Sequence, residues 1–344
     1  MKLDRMCGFV LAGVLTAGLG SADERRSDAP TAAGFCSTTA ALLFKACGFE
    51  VQDDYTKATA ICLNFEEEDD REKCIEEAQA ERQEHTQLCR DQRDFRRQAC
   101  GVLGEGRYDP DFDPRDFDDP RRPTHPNPYF PLHVGNRWRY QGGGEVNELE
   151  VLDRTKRIED VDCLVVADLV KKGGDLVEST DDWFAFNRNG AIWYCGEEVK
   201  DFESFEGDDP RKEELVSIDG SFKAGRNHDK PGIIFQASPR EGESYVEEFS
   251  LGNAEDVTDV LSADYRYGVD VDLDRFVPPR LAQLMCAAGD CVVTRNYSLL
   301  EPGVFGRKYY AKGIGVFLEV NPDTGEVHRL VACNFDPRCP MLQP

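Results

Sequence analysis

The chain has 344 residues, of which 41 are Lys or Arg and 66 are Asp or Glu, so its formal net charge is −25. This acidity argues against nucleic acid as a partner, because binding to it depends on neutralising phosphates with Lys and Arg. It leaves room for cations such as Ca²⁺, although a solvated acidic surface is the favoured explanation of the charge.

The first 22 residues have the pattern of a signal peptide. A short basic segment contains Lys2 and Arg5, the apolar run CGFVLAGVLTAGLG follows, and the ending Gly20-Ser21-Ala22 suits cleavage after Ala22. The run is too short for a membrane span, and no later segment is apolar enough to be a transmembrane helix. We therefore expect a secreted protein, periplasmic or extracellular.

The cysteine content agrees with export. Thirteen Cys are present, and the loss of Cys7 with the signal peptide would leave an even number, which is typical of disulfides in exported chains. Six fall within residues 36–100 at separations of 11, 15, 12, 15 and 11, a series that reads the same in both directions. An antiparallel hairpin pairs such a series from the outside in. This predicts three disulfides: Cys36–Cys100, Cys47–Cys89 and Cys62–Cys74.

Residues 23–106 are therefore expected to form a disulfide-stapled helical hairpin. Residues 70–100 contain no Gly or Pro and many good helix formers. The first arm is less regular, so Gly48 is predicted to end one helix and Asp53 or Asp54 to begin the next. Zinc sites need Cys pairs two to four residues apart, and this region has none. The polar arms indicate docking to a protein partner or self-assembly rather than catalysis.

Residues 107–128 are rich in Pro and Asp, which favours an extended linker. The spacing of Asp109, Asp111 and Asp113 resembles the start of a Ca²⁺-binding loop. However, the central Gly is absent and Pro120 stands where such a loop has a bidentate Glu. The linker is the favoured interpretation.

Residues 129–344 contain many short β-branched and aromatic runs separated by Gly, Asn and Asp, which predict an antiparallel half-barrel or sandwich. Residues 253–262 are expected to be a short helix or a bend. The whole chain is thus predicted to be α+β, with the stapled hairpin first and a mainly antiparallel β domain second.

Several motifs of this β domain occur in a recognisable order: YFPLHVGNRWRY, DWFAFNRNGAIWYCGE and RKYYAKGIG. They resemble a group of uncharacterised exported bacterial domains with patterns such as YFPLxxGNxWxY, DWxAxxxxGxxWYxGE and KYYAxGxG. The resemblance covers about residues 129–335 and implies a β-rich fold without implying an activity. Departures from the pattern include Phe184 in place of Tyr and Cys195 in place of Phe.

Six Cys lie in this domain, and six Cys allow fifteen connectivities. Cys163 and Cys291 lie in strand-like runs and are predicted to pair. Cys333 and Cys339 bracket the short segment NFDPR and are predicted to form a second disulfide. Cys195 and Cys286 remain and would pair by elimination.

Residues 181–198, DDWFAFNRNGAIWYCGEE, are predicted to be a hairpin with a two-residue type I′ turn at Asn189-Gly190. Pairing about that turn sets Phe186 opposite Trp193 and gives one core face to Phe184, Phe186, Trp193 and Cys195. It also sets two pairs of carboxylates opposite each other, which is unfavourable without a counter-charge. These pairs are Asp182 with Glu197 and Asp181 with Glu198.

Familiar catalytic signatures are missing: the sequence has no GxSxG, HExxH, P-loop or GxGxxG motif. The alternating Asp270, Asp272 and Asp274 are interpreted as a solvated strand edge rather than a cation site. A polar pocket in the mouth of a half-barrel and a structural ion-pair network both remain open for the other polar groups. These ligand-binding candidates are Asp182, Glu197, Glu248, Glu255, Asp256, Lys308 and Tyr309.

The sequence therefore favours a non-catalytic binding or assembly protein of the cell envelope or extracellular space. A secreted carboxylate-dependent hydrolase is the first alternative. A calcium-dependent structural protein is the second, with Asp182 and Glu197 as candidate metal ligands. No cofactor is evident apart from the Ca²⁺ of that alternative.

Overall fold

The computed structural model describes residues 34–342, so the predicted signal peptide lies outside the described residues. The chain divides into two compact units between Arg107 and Tyr108. The first unit is helical and the second is built on an antiparallel β-sheet, which confirms the α+β class. None of the helices formed by residues 34–342 is long and apolar enough to cross a membrane.

Two long helices make up the first unit: α1, Phe35–Cys62, and α2, Glu68–Leu103. The three predicted disulfides Cys36–Cys100, Cys47–Cys89 and Cys62–Cys74 are present and join the helices along their length. The buried apolar side chains between them are few and small, for example Ala40 and Ala78. The staples therefore supply stability that so small a core lacks.

The break predicted at Gly48 is wrong, because α1 runs through it without interruption. A glycine inside a helix costs only about 1 kcal/mol, and disulfides at Cys36 and Cys47 on one side and at Cys62 on the other hold α1 against α2. Asp53 forms an ion pair with Lys57 one turn later, within the helix.

The second unit contains one 14-stranded sheet and the short helix α3, Pro279–Cys286. The strands are β1 Arg137–Gly142, β2 Glu145–Ile158, β3 Val161–Lys172, β4 Asp175–Phe186, β5 Ile192–Ser204, β6 Glu213–Ser217, β7 Phe222–Lys223, β8 Gly232–Phe235, β9 Ser244–Val246, β10 Asp256–Tyr265, β11 Cys291–Ser298, β12 Gly306–Ala311, β13 Gly315–Val320 and β14 Val327–Cys333.

All strand pairs in this sheet are antiparallel, in the order β6-β5-β4-β3-β2-β1-β14-β13-β12-β11-β10-β9, with β7 and β8 also paired to β5. The distant ends of this order approach each other. The amide of Lys230 donates to the carbonyl of Phe249 over 3.0 Å, and Gly232 lies so near Glu247 that an added Cβ would be 2.0 Å from its carbonyl oxygen. The sheet therefore curls round without closing, and residues of β4 and β5 face residues of β9 to β12.

The chain around the sheet differs from the prediction in two places. Residues 256–265 form strand β10, where a short helix or bend was expected across 253–262. Asp270 and Asp274 lie in a loop rather than on a strand edge. Asp270 accepts the amides of Asp272 and Leu273, and Asp274 accepts the amide of Gly268, so these carboxylates stabilise turns.

Residues 108–128, which were predicted to belong to a linker, are part of the second unit. The hydroxyl of Tyr108 donates to the carbonyl of Pro231, and Asp109 forms an ion pair with Lys230. Phe117 is buried against Trp193. The three aspartates of the calcium-like spacing do not converge, because Asp113 binds Arg115 instead.

Among the C-terminal disulfides, Cys333–Cys339 is present as predicted. The other two predictions, Cys163–Cys291 and Cys195–Cys286, are wrong: Cys163 bonds Cys195, and Cys286 bonds Cys291. Cys163 belongs to a buried cluster on one face of the sheet, whereas Cys291 belongs to the large core on the other face. Cys163 and Cys291 are therefore out of reach of each other.

Candidate functional site

The hairpin of β4 and β5 turns in a different way from the prediction. Gly190 has a φ of 96°, but Asn189 stays outside the left-handed region, so the type I′ turn is excluded. The amide of Asn187 donates to the carbonyl of Ala191, and the amide of Gly190 donates to that of Asn187. This is the pattern of a three-residue loop with a left-handed glycine in its last position.

The extra loop residue shifts the register by one and exchanges the faces of the strand after the turn. Phe186 lies opposite Ile192 and Phe184 opposite Tyr194. Phe184, Phe186 and Tyr194 belong to the large core of the sheet. Trp193 and Cys195, which were expected on the same face as Phe184, lie in a second cluster on the other face.

A β-bulge between Trp183 and Phe184 then restores the predicted pairing at the open end of the hairpin. Asp182 lies directly opposite Glu197, and Asp181 directly opposite Glu198. The pair that shares the face of Phe184 and Tyr194 is Asp182 with Glu197. Glu197 is 7% exposed, so like charges meet here in a poorly solvated place.

The two carboxylate pairs differ in the side chains that bind them. Asp181 accepts two hydrogen bonds from Arg154, and Glu198 forms an ion pair with Lys200. Both members of this pair therefore have a cation of their own. The pair formed by Asp182 and Glu197 is instead held by a tyrosine.

Tyr194 donates a 2.5 Å hydrogen bond from its hydroxyl to Asp182 Oδ1, and it also interacts with Glu197. Burial raises the pKa of Asp182 to about 7, against the opposing effect of the Tyr194 hydrogen bond and with a further increase from the charge of Glu178. Burial and the charge of Asp182 raise the pKa of Glu197 well above its usual range. The pair therefore holds protons near neutral pH.

Further carboxylates come from the other end of the sheet. Glu248 is 4% exposed, and burial together with the charges of Asp256 and Glu197 raises its pKa well above the usual value. Burial and the neighbouring Glu247 raise the pKa of Asp256 to about 6. Glu197 on β5 thus acts on Glu248, which follows β9, and the close approach of Gly232 to Glu247 places these two parts of the sheet beside each other.

Lys308, on β12, is the cation that these carboxylates meet. Its Nζ lies 3.9 Å from Glu247 Oε1, and its charge lowers the pKa values of Asp182, Glu248 and Asp256. Glu319 lies directly opposite Lys308 on β13, and burial raises its pKa to about 7. One ammonium group is thus shared among several carboxylates.

Glu247 is held by neutral donors as well. Its Oε2 accepts hydrogen bonds from the Thr258 hydroxyl at 2.5 Å and from the Asn296 amide at 2.8 Å. The side-chain Nδ2 of Asn296 also donates to the Thr258 hydroxyl, while the Thr294 hydroxyl donates to the side-chain Oδ1 of Asn296. This chain of neutral groups fixes the position of Glu247 in the interior.

A second group of polar side chains lies on β2 and β3 beside Asp182. The Asn147 amide donates to Asp168 Oδ2 over 3.3 Å. The other oxygens of the two side chains, Asn147 Oδ1 and Asp168 Oδ1, are buried without a hydrogen-bond partner, and so is the hydroxyl of Tyr245. Burial and the charges of Asp182 and Glu178 raise the pKa of Asp168 well above its usual range.

Aromatic rings lie next to the carboxylates. Tyr194 stacks on Phe184 with 5.1 Å between ring centroids and meets Phe222 edge-on at 5.5 Å. Tyr310, on the same strand as Lys308, packs against Phe235 at 4.7 Å. Because both tyrosines also interact with charged groups of the interior, the aromatic and acidic regions are continuous. We call this set of polar and aromatic groups the acidic interior. Its carboxylates are Asp168, Glu178, Asp182, Glu197, Glu247, Glu248, Asp256 and Glu319.

The structure brings together Asp182, Glu197, Glu248, Asp256 and Lys308, which the sequence nominated. Two other candidates lie apart from this group. Tyr309 is fully buried and donates from its hydroxyl to the carbonyl of Leu273, while its neighbour Tyr310 faces the acidic interior. Glu255 accepts the backbone amide of Gly252 and stabilises the turn before β10.

Sequence reasoning missed Asp168, Glu247 and Glu319, as well as Asn147. Period-two alternation offered a signal for one of them, because Asp168 follows the inward-facing Leu164 and Val166 at the same spacing along β3. For the others, no sequence signal showed which strands would face each other. Within residues 34–342, no three His, Cys, Asp or Glu side chains are arranged to hold a metal ion.

No family model matches the sequence, and no curated protein matches it. One solved structure with a detectable likeness is a candidate lipoprotein from Parabacteroides distasonis ATCC 8503. It is 9% identical, and the alignment covers 61% of this chain and 100% of that chain with a TM-score of 0.27. So low a score carries no argument about this protein.

Proposed function

We propose that this chain is an exported, non-catalytic binding protein of the cell envelope or extracellular space, and that the acidic interior is its ligand site. One observation carries the proposal: carboxylates from distant strands converge on the inner face of the curled sheet beside Lys308. Keeping so many ionisable groups out of water costs stability, which favours a functional role for them.

Export is supported by the six disulfides formed among residues 34–342, since disulfides persist in oxidising compartments. They indicate an extracytoplasmic location. The stapled hairpin suits a rigid arm that docks to a protein partner or to a second copy, and this role is part of the proposal. The resemblance of residues 129–335 to exported bacterial β-rich domains also belongs to the proposal, as an argument for export.

The secreted hydrolase stays as a second candidate because Asp182 and Glu197 form a directly opposed pair that holds protons. Such pairs serve as general acids and bases in other enzymes. An activity screen on polysaccharides and esters separates the two functions. The hydrolase requires turnover that Glu197→Gln abolishes, whereas the binding protein gives no turnover that depends on Glu197.

The binding function is tested by thermal shift with cationic, neutral and anionic small molecules. We expect at least one class to raise the melting temperature of the wild type and to have no effect on the double variant Asp182→Asn, Glu197→Gln. The matched control is Glu214→Gln, which changes an exposed carboxylate on β6 and should respond like the wild type. If no compound stabilises the wild type, or if the double variant responds equally, the acidic interior is not a ligand site.

A further inference from the structure

We propose that the ligand of the acidic interior is an organic cation with N–H donors, of the alkylammonium class. This inference rests on the proposed function and names the chemistry of its ligand. It starts from two neighbouring oxygens, Asn147 Oδ1 and Asp168 Oδ1, which are both buried and both without a hydrogen-bond partner. Asn147 is 8% exposed and its amide binds Asp168, so its side chain is directed at the acidic group.

Asn147 Oδ1 is an acceptor, and Asp168 Oδ1 is one too once its carboxyl group is ionised, and this decides the sign of the missing partner. A buried acceptor without a partner destabilises the free protein, so a ligand that supplies donors regains that free energy on binding. An ammonium group has three donors and no acceptor. An anion or a carbonyl group would add acceptors where the site already has too many.

The surrounding charges agree with a cation. Asp168 lies within electrostatic reach of Asp182 and Glu178, and the ammonium of Lys308 is shared with Glu247 on the far side of the interior. One more positive charge beside Asp168 would balance part of the remaining excess. The cation would take the place of protons that these carboxyl groups otherwise hold.

The adjoining aromatic rings favour an organic cation over a metal ion. Tyr194 connects Asp182 to the rings of Phe184 and Phe222. Such rings pack against alkyl chains and attract ammonium groups through their faces. Ca²⁺ needs six to eight oxygen ligands, and no three His, Cys, Asp or Glu side chains among residues 34–342 are arranged to hold a metal ion.

Isothermal titration calorimetry on the full chain at about 150 mM salt tests this ligand class, since salt screens diffuse attraction to the acidic surface. The probes are spermidine, butylamine, tetramethylammonium, butanol and CaCl₂. We expect spermidine and butylamine to bind the wild type. Tetramethylammonium carries the charge without N–H donors, and butanol the alkyl chain without the charge, so both should bind at least about tenfold more weakly.

The variant Asp168→Asn should weaken spermidine binding at least about tenfold, while Glu214→Gln should leave it unchanged. Asn147→Ser serves as a second variant that leaves the carboxylates in place, and circular dichroism checks that each variant is folded. Binding should also release protons near pH 6–7, which titration in buffers of different ionisation enthalpy measures. A structural role for Asp168 alone would not produce that release.

The outcomes are distinguishable from failure of the proposed function. If a neutral compound, an anion or Ca²⁺ binds and the double variant Asp182→Asn, Glu197→Gln removes that binding, the site is real and the alkylammonium class is wrong. Equal spermidine binding by wild type and Asp168→Asn would also overturn the inference. If nothing binds, both proposals fail.

Discussion

The hydroxyl of Tyr194 donates a 2.5 Å hydrogen bond to Asp182 and interacts with Glu197, which lies directly opposite Asp182 on the next strand. A tyrosine therefore stands between the two carboxyl groups that the sequence predicted as site residues. The phenol stabilises the charged form of Asp182, so it sets how readily this pair loses a proton.

Replacement of this hydroxyl gives the first prediction. Tyr194→Phe should lower the free energy of unfolding by about 1–2 kcal/mol at pH 8, where Asp182 is charged and loses its donor, and by less at pH 5. Urea denaturation followed by tryptophan fluorescence measures this. The three Trp, Trp138, Trp183 and Trp193, lie in the β unit and report on it alone.

Tyr267→Phe is the control for this experiment, because it removes one hydroxyl from a half-buried tyrosine elsewhere in the same unit. An equal loss at both pH values would contradict the role assigned to Tyr194. So would a loss in Tyr267→Phe of the same size.

The second prediction concerns the pH dependence of stability. Asp182, Asp256 and Glu319 have pKa values raised to about 7, 6 and 7. Between their ordinary pKa and these values, the folded state holds protons that the unfolded state has lost, so stability decreases as pH rises. His328 acts in the opposite direction, because burial lowers its pKa to about 4. His328 is a single group, whereas Asp182, Asp256 and Glu319 all act in the other direction.

We therefore expect the melting temperature of the β unit to fall as pH increases from 5 to 8. Asp182→Asn should reduce the size of that fall, since its amide does not titrate. Scanning calorimetry of both proteins at several pH values provides the measurement. A wild-type melting temperature that rises across this range would show that the carboxyl groups are charged in the folded state from the start.

The third prediction follows from the burial of Asp168. Asp168→Asn should raise the melting temperature at pH 8, because the isosteric amide removes a carboxyl group that folding must keep out of water. At lower pH the raised pKa of Asp168 favours the protonated carboxyl in the folded state, so the change should be smaller. Glu214→Gln controls for the general loss of one negative charge. Destabilisation at pH 8 would mean that Asp168 is compensated there by a positive partner.

The hairpin disulfides and the pair Asp182 and Glu197 show how much of the structure could be predicted from the sequence. The disulfides of the hairpin follow from spacing alone, because the residue numbers of facing positions on two antiparallel helices have a constant sum. The carboxylate pair Asp182 and Glu197 was placed correctly, although the turn was assigned wrongly: the extra loop residue and the later bulge cancel at the open end. Between them, the one-residue shift put Trp193 and Cys195 on the other face.

The wrong disulfides and the missed site residues share one cause, which is that the sequence does not show how the sheet curls. Cys163 was paired with Cys291 because both lie in strand-like runs, but the two belong to buried clusters on opposite faces of the sheet. The curl also brings Glu248 and Lys308 to Asp182. Local patterns specify which side chains leave a strand on the same side, and they do not specify which strands meet across a curled sheet.

The fourth prediction concerns metal removal. EDTA should leave the melting temperature of the β unit unchanged, since no three side chains of residues 34–342 are arranged to hold a metal ion. Differential scanning fluorimetry with EDTA, and with EDTA plus excess CaCl₂, measures this. A fall that CaCl₂ reverses and that the double variant Asp182→Asn, Glu197→Gln lacks would establish the calcium-dependent alternative.

The fifth prediction concerns the first unit. Reduction of the full chain should unfold α1 and α2 before the β unit, because Ala40, Val51, Ala78 and Ala99 bury little apolar surface and each native disulfide contributes about 2–4 kcal/mol. Hydrogen exchange with mass spectrometry, in increasing dithiothreitol, should show residues 35–103 losing protection first. Cys62→Ser with Cys74→Ser, which removes the staple closing the shortest loop, should cost least of the three. If the helices stay protected after full reduction, their stability comes from packing, and the staples are dispensable.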